Sequence, residues 1–382
     1  MYLLIIYIFC IMLSFIFKKS KIVTGIDFIL MWIMAGWSFG NSDYGIYVTR
    51  YYHPEKYPTL EQLYAFLQNL AKANNLEYAD FLIIMTFVAL LLKFISVMIM
   101  TDKVNEVIGL WMVFPFIADI NQIREFYATS VAFLGLALFL KIRDERKGLW
   151  IAIIMIIIAS YIHGSNIFYI ILLIPYLRRK KLESNSFFES NRFIRNYLIT
   201  VFIVYIVVMM SSSSAFVAKI LSIVGLRDKW LQTVQAASMA YSDKTWYYAE
   251  IVVFFILTTF ILRRARSMSS RVLLSHNELR VINFVVKSNY LLLLLLPLTV
   301  FTPDVYRLQQ EFAIFIYCVG SYFNDRDILY TKKQLSLNSI FLKIFLMVLA
   351  CTYLYLMCIG TPGTLLKEKV FDPAFYNNLI IK

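Results

Sequence analysis

Charge is what this sequence has least of. Of its 382 residues only 16% are Asp, Glu, Lys or Arg, where a soluble domain carries about 25% to face water. That shortfall excludes a water-exposed surface of ordinary size. In its place stand 60% hydrophobic and 17% aromatic residues, with a mean hydropathy of +0.69. Strand-like alternation is missing too, which excludes a transmembrane β-barrel. Cysteine is sparse: Cys10, Cys318, Cys351 and Cys358 all sit in apolar runs, none with metal-ligand spacing. Disulfide and zinc frameworks are thereby excluded, and the four read as small hydrophobes. The beginning of the chain lacks the basic n-region and small-residue cleavage site of a removable signal. Tyr2 to Phe17 is therefore expected to persist as a first span. No credible Gly-rich phosphate loop, Ser-His-Asp order or DxD-type metal pair emerges from the sequence. Those absences argue against a cytoplasmic nucleotide-sugar donor.

What is there is a series of apolar runs of roughly 16 to 22 residues, the length a helix needs to cross hydrocarbon. Backbone groups must be satisfied within each segment there, so helices are expected. The fold class is all-α: a polytopic integral membrane protein of about 12 helices, a single helical membrane domain over residues 1–382. Spans are expected near Tyr2–Phe17, Ile22–Phe39, Asp80–Met100, Val107–Ala118, Glu125–Ile142 and Leu149–Ile162. Others follow near Ser165–Leu177, Tyr197–Met210, Trp246–Leu262, Val281–Phe301, Val305–Phe323 and Ser339–Ile359. His163-Gly-Ser165 divides a stretch too long for one span.

The net charge of +13 reads as topology rather than nucleic-acid binding. With the N-terminus outside, Lys and Arg concentrate in the cytoplasmic loops, most densely at 178–196 and 263–280, as the positive-inside rule requires. Lys93, Lys287 and Lys343 fall in the inner halves of spans, from which they can snorkel to the interface. Asp27 reads as a local partner rather than a catalytic acid. Two outer loops are long, 40–79 and 211–245. The first contains Thr59-Leu-Glu-Gln62, a capping-box pattern opening an amphipathic helix expected in the membrane interface. The second predicts short helices over Phe216–Val224 and Asp228–Ala240, and displays Arg227 and Lys229 outside.

Charges that defy the positive-inside pattern are the informative ones. Arg124 and Arg307 each lie in a very short outer loop, within Asn121-Gln122-Ile-Arg124-Glu125 and Thr302-Pro-Asp304-Val-Tyr306-Arg307. Two readings stand. Each could pair locally, Arg124 with Glu125 or Asp119 and Arg307 with Asp304, or the two could share an anion site. Their common level tilts the balance to the second, because guanidinium binds phosphate bidentately and keeps its charge when partly desolvated. His163 stands at a span boundary, where a hydrogen-bonded end residue is the plain reading. Gly164 and Ser165 beside it allow the chain to break and cap a new helix. Asp43 ends the second span, where it or Asn41 could cap the next helix. Tyr44, Tyr47 and Tyr51 share one helical face, which suits an interfacial belt or a sugar-stacking surface.

These pieces together resemble the EpsG/Wzy-type family of bacterial polysaccharide polymerases. The likeness rests on Asp43-Tyr44 with Tyr47, Gln122-Ile-Arg124, His163-Gly-Ser165 and Arg307, in that order, over roughly Gly40 to Phe323. It implies a glycosyltransferase of the inner membrane that polymerises repeat units carried on undecaprenyl pyrophosphate, on the outer leaflet, without metal or other cofactor. By that resemblance Arg124 and Arg307 would hold pyrophosphate. His163 would bind phosphate or act as base, and Asp43 would act as base or position the acceptor. Tyr44, Tyr47 and Gln122 would line the sugar site, and Arg227 or Lys229 would gather the anionic lipid head group. The implied partners are the lipid-linked oligosaccharide, membrane lipid, a chain-length regulator and a flippase, with no nucleic acid. An O-antigen ligase is the nearest rival. A flippase or transporter would need polar groups near the bilayer midplane, where the spans read as nearly clean of charge.

Overall fold

The computed structural model describes residues 2–39, 43–56, 61–177, 196–204, 245–269, 274–297, 304–323, 332–359 and 367–376, with 272, 378 and 380. Within them the protein is an all-α bundle. Its helices are α1 (Tyr2–Ile16), α2 (Lys21–Gly36), α3 (Tyr44–Tyr52), α4 (Gln62–Ala73), α5 (Tyr78–Met100), α6 (Val104–Val113), α7 (Phe116–Asn121), α8 (Ile123–Lys141) and α9 (Glu145–Ser160). A 3₁₀ segment, Gly164–Leu173, leads into α10 (Ile174–Leu177). Then come α11 (Thr245–Ser269), α12 (His276–Leu293), α13 (Asp304–Glu311), α14 (Ala313–Ser321), α15 (Lys332–Leu354) and α16 (Asp372–Tyr376). Among the described residues two helices, α5 with 23 residues and α8 with 19, are long and apolar enough to cross a membrane. The expected second-loop helices, with Arg227 and Lys229, lie outside the described residues.

Apolar side chains face outward as well as inward. Ile5, Phe9 and Met12 on α1, Ile84, Leu91 and Met98 on α5, and Trp150 and Ile154 on α9 are all exposed. An apolar exterior of this extent suits lipid and not water. The bundle is built around α8, which is buried along nearly its whole length and packs against α5 and α9. Close approach to α9 depends on Gly135: a Cβ there would meet Met155 Cβ at 2.6 Å. Small residues let helix backbones approach in this way.

Helix ends are satisfied by side chains from neighbours. Asn105 of α6 donates to the carbonyls of Phe17 and Ser20, at 2.5 and 2.9 Å, where α1 stops and α2 starts. Arg280 donates to the carbonyls of Ile142 and Phe139 at the end of α8, placing a cation at that helix's negative pole. Each contact links elements far apart in sequence through the backbone carbonyls of helix ends.

Several expectations change, and the expected spans Val107–Ala118 and Val305–Phe323 are each broken into two short helices, α6 with α7 and α13 with α14. Lys93 does not snorkel: it is 1% exposed, deep in the bundle, between Asp119 and Glu311. Its ammonium is paired where it stands, so it has no need to reach water. The interior is therefore not clean of charge. The amphipathic helix begins at Gln62, with Glu61 at its N-cap position making no capping bond; Thr59 lies outside the described residues. The first free N–H groups of this α4 helix go instead to the carbonyl of Tyr161, from Leu63 at 3.0 Å and Tyr64 at 3.4 Å. Lys287 is also buried, with its ammonium over the Tyr176 ring at 5.6 Å, while Lys343 is half-buried. Asp27 does find a local partner, accepting from Ser14 Oγ at 2.6 Å.

Candidate functional site

At the end of the bundle where α3, the α7–α8 junction, the α9 terminus and α13 meet, a cavity of about 520 Å³ including its mouth is lined by Asp43, Ile46, Tyr47, Arg50, Gln122, Arg124, Glu125, His163 and Arg307. Six of these nine positions are singled out by the sequence, drawn from segments more than 260 residues apart.

Local structure explains each placement. Asp43 holds the N-cap position of α3 with helical φ and ψ, so its carboxylate makes no capping bond and lines the cavity. Three, four and seven residues on, Ile46, Tyr47 and Arg50 share its face. Tyr44 and Tyr51 turn the other way, with ring centroids 5.5 and 5.6 Å from Tyr78. Tyr44 therefore braces α3 against α5 and is not among the cavity's lining residues. Gln122 is at once the last cap of α7 and the first of α8, with φ −98° and ψ 52°. The kink there brings Arg124 and Glu125 to the cavity wall. His163 ends the turn after α9 in extended backbone, and the 3₁₀ segment starts from it.

Electrostatics tie these groups together. Arg124 Nη1 lies 2.7 Å from Glu61 Oε2, and its guanidinium sits against the rings of Tyr47 and Tyr64, at 5.5 and 5.8 Å. Its partner is thus 63 residues away, not the neighbouring Glu125 or Asp119 of the local reading. His163 stands between two carboxylates, Nε2 2.7 Å from Glu125 and Nδ1 3.4 Å from Glu61. Burial opposes the imidazolium, but the two carboxylates outweigh it and raise its pKa to about 9. Burial likewise favours a protonated Glu61. Contact with His163 and Arg124 prevails and holds it at about 2. Glu125, 2% exposed, also accepts from Ser165 Oγ at 2.9 Å and Asn166 Nδ2 at 3.1 Å. Ser165 thus serves Glu125 and does not cap its own helix.

Glu61, Glu125 and Arg50 extend the set read from the sequence. Arg50 was legible, seven residues from Asp43 on one helix face. Glu61 was not: within Thr59-Leu-Glu-Gln62 it looks like part of a cap, and its site partners are distant in sequence. Among the described residues no group of three or more His, Cys, Asp or Glu is arranged to hold a metal ion.

Fold and site define an all-α protein with apolar, membrane-length helices and a cation-rich polar cavity at one end. The chain belongs to the EpsG family, whose profile matches residues 21–359. No curated protein and no solved structure matches it.

Proposed function

We propose that the cavity is the glycosyl-transfer site of a polysaccharide polymerase acting on lipid-linked repeat units. In this reading the chain crosses the bacterial inner membrane about 12 times. The cavity then opens at the outer leaflet, where repeat units on undecaprenyl pyrophosphate would meet it. Family membership supports the polymerase class. The observation that carries the reading is the convergence of Arg50, Arg124, Arg307 and a carboxylate-clamped His163 on one cavity that Asp43 also faces.

The chemistry follows from those groups. The bond from the donor's anomeric carbon to the pyrophosphate oxygen breaks, and the acceptor hydroxyl oxygen forms a new bond to that carbon. Negative charge grows on the departing pyrophosphate, and fixed guanidinium groups stabilise it where it develops. The hydroxyl must lose a proton as it attacks. His163, protonated between Glu61 and Glu125, is an acid or a fixed cation and not the base. Glu125 is committed to His163, Ser165 and Asn166. Asp43 is thereby assigned the proton. Tyr47 and Gln122 take the sugar-lining role. Arg227 and Lys229 keep the role of gathering the lipid head group.

The test is direct. Purified protein is incubated with lipid pyrophosphate-linked repeat units, without nucleotide sugar or added metal, and longer glycans are sought. Wild type should extend them, and Arg124→Ala should lose on the order of 10²-fold or more in rate. Unchanged polymer from Arg124→Ala in protein that still assembles would remove the site assignment. A ligase would transfer the glycan to another acceptor in the same assay. A transporter reading draws on the buried Lys93, Asp119 and Glu311 beside broken helices. Polymer formed in detergent, where there is no second compartment, separates it from the polymerase.

A further inference from the structure

Arg307 reaches the cavity from α13, a helix of eight residues. So short a helix is marginal alone and takes its position from tertiary contacts. Two buried contacts hold it, one from the segment after His163 and one from α5 and α8. The Tyr169 hydroxyl, fully buried, donates to the carbonyl of Leu308 at 3.0 Å. Tyr169 belongs to the 3₁₀ segment that follows His163. Three residues on from Leu308, Glu311 pairs with Lys93 of α5, and Thr129 of α8 donates to the same carboxylate at 3.4 Å. Lys93 also meets Asp119 Oδ2 at 3.4 Å, and Asp119 accepts from Trp111 Nε1 at 2.9 Å. The ammonium is enclosed by the rings of Trp111, Phe126 and Phe133, at 5.2, 4.9 and 5.5 Å.

Arg307 and Glu311 are four residues apart, so they stand one above the other on the same side of α13. Anchoring Glu311 sets both the rotation of the helix and the depth of Arg307. The carbonyl of Leu308, the residue next to Arg307, sets the distance to the His163 segment. Burying three ionisable side chains together costs heavily compared with an apolar contact of the same shape. An apolar core would hold the bundle but would leave the rotation of an eight-residue helix less sharply defined.

We propose that Lys93 and Tyr169 are positioning residues for Arg307, fixing its guanidinium against Arg124 and His163 across the cavity. The proposal rests on the glycosyl-transfer reading of that cavity. Lys93→Met leaves two buried carboxyl groups without their cation and is expected to lose the folded protein, so Tyr169→Phe, which deletes one hydroxyl, carries the test.

The experiment is a double-mutant cycle on polymer formation in detergent, with Arg307→Lys as the second change. Beside it, the rate at which phenylglyoxal modifies Arg307 is read by mass spectrometry. Tyr169→Phe should lower kcat about tenfold with little change in KM, as small displacements of a charge-stabilising group do. In the Arg307→Lys background it should cost less than about twofold more. Arg307 should react several-fold faster in Tyr169→Phe while Arg124 keeps its rate. Lys93→Arg, which keeps the charge, should retain more activity than Lys93→Gln at equal amounts of folded protein. Losses that multiply across the cycle, with Arg307 reactivity unchanged, would overturn the proposal. An inactive wild type whose Arg307 reactivity still rises in Tyr169→Phe would instead remove the glycosyl-transfer reading and leave the positioning contact standing.

Discussion

Replacing Glu61 by Gln keeps the shape of the side chain and removes one charge from the centre of the cation cluster. Its Oε1 lies 3.4 Å from His163 Nδ1 and its Oε2 2.7 Å from Arg124. Two unit charges 3.4 Å apart interact by ~5 kcal/mol at an effective dielectric of ~20. Both side chains are partly open, 14% for His163 and 24% for Glu61, so water at the mouth screens much of that. Glu125, at 2.7 Å, is the nearer partner and remains. The net effect expected is a fall of about one pKa unit for His163, equivalent to ~1.4 kcal/mol. Nuclear magnetic resonance of histidine-labelled protein reads this directly. His163→Gln identifies the signal against the other two histidines, His53 and His276. The kinetic consequence has a definite sign. If the imidazolium is the working form, kcat/KM of wild type declines as pH rises through about 9. The same limb should move down by about one unit in Glu61→Gln, while loss of Arg124's partner lowers kcat by about tenfold or more. A rate that rises through pH 9 would make His163 the base and refute the role assigned to it. An unmoved His163 titration in Glu61→Gln would refute the clamp.

Asp43→Asn should lower kcat by ~10²-fold or more, the worth of a general base, with pyrophosphate binding by purified protein little altered; an equal loss of binding would make Asp43 a structural residue. Stability should also follow the clamp. The contribution of His163, whose pKa is raised by its carboxylates against burial, is full below its unfolded value near ~6.5 and is lost as pH rises through about 9. That of Glu61, lowered by His163 and Arg124 against burial, is full above ~4.3 and is lost as pH falls through about 2. Unfolding in detergent across pH should show the alkaline loss, on the order of 3 kcal/mol at most, and His163→Gln should abolish it. Gly135→Leu forces α8 from α9 at Met155 and should cost ~1–3 kcal/mol, seen as a lower thermal midpoint without any shift in the pH profile.

Helix content and the elements of the site were legible because both leave one-dimensional traces. Apolar runs mark helices by length alone, and the described helices α1, α2, α5 and α8 fall close to their expected places. Arg124 and Arg307 stood out as basic residues in very short outer loops and His163 and Asp43 as polar residues at span boundaries, and the structure gathers them on one cavity. Pairing was a different matter. Glu125 looked like Arg124's partner by adjacency, yet neighbours along a helix point in different directions. Arg124 turns to Glu61 and Glu125 to His163. Lys93 looked like a snorkelling lysine because nothing near it in sequence offers a carboxylate. Its partners, Asp119 and Glu311, come from 26 and 218 residues away.

By itself, then, the sequence determined the all-α class of the protein, several of its long helices and the residue types available for chemistry, since hydrophobic length and charge placement are local properties. Only the tertiary structure decided which charge meets which. Ion-pair energy depends on distances of a few ångströms between groups that chain order leaves unrelated. That is why His163 could be read as a base or a cation until Glu61 and Glu125 were found on either side of it.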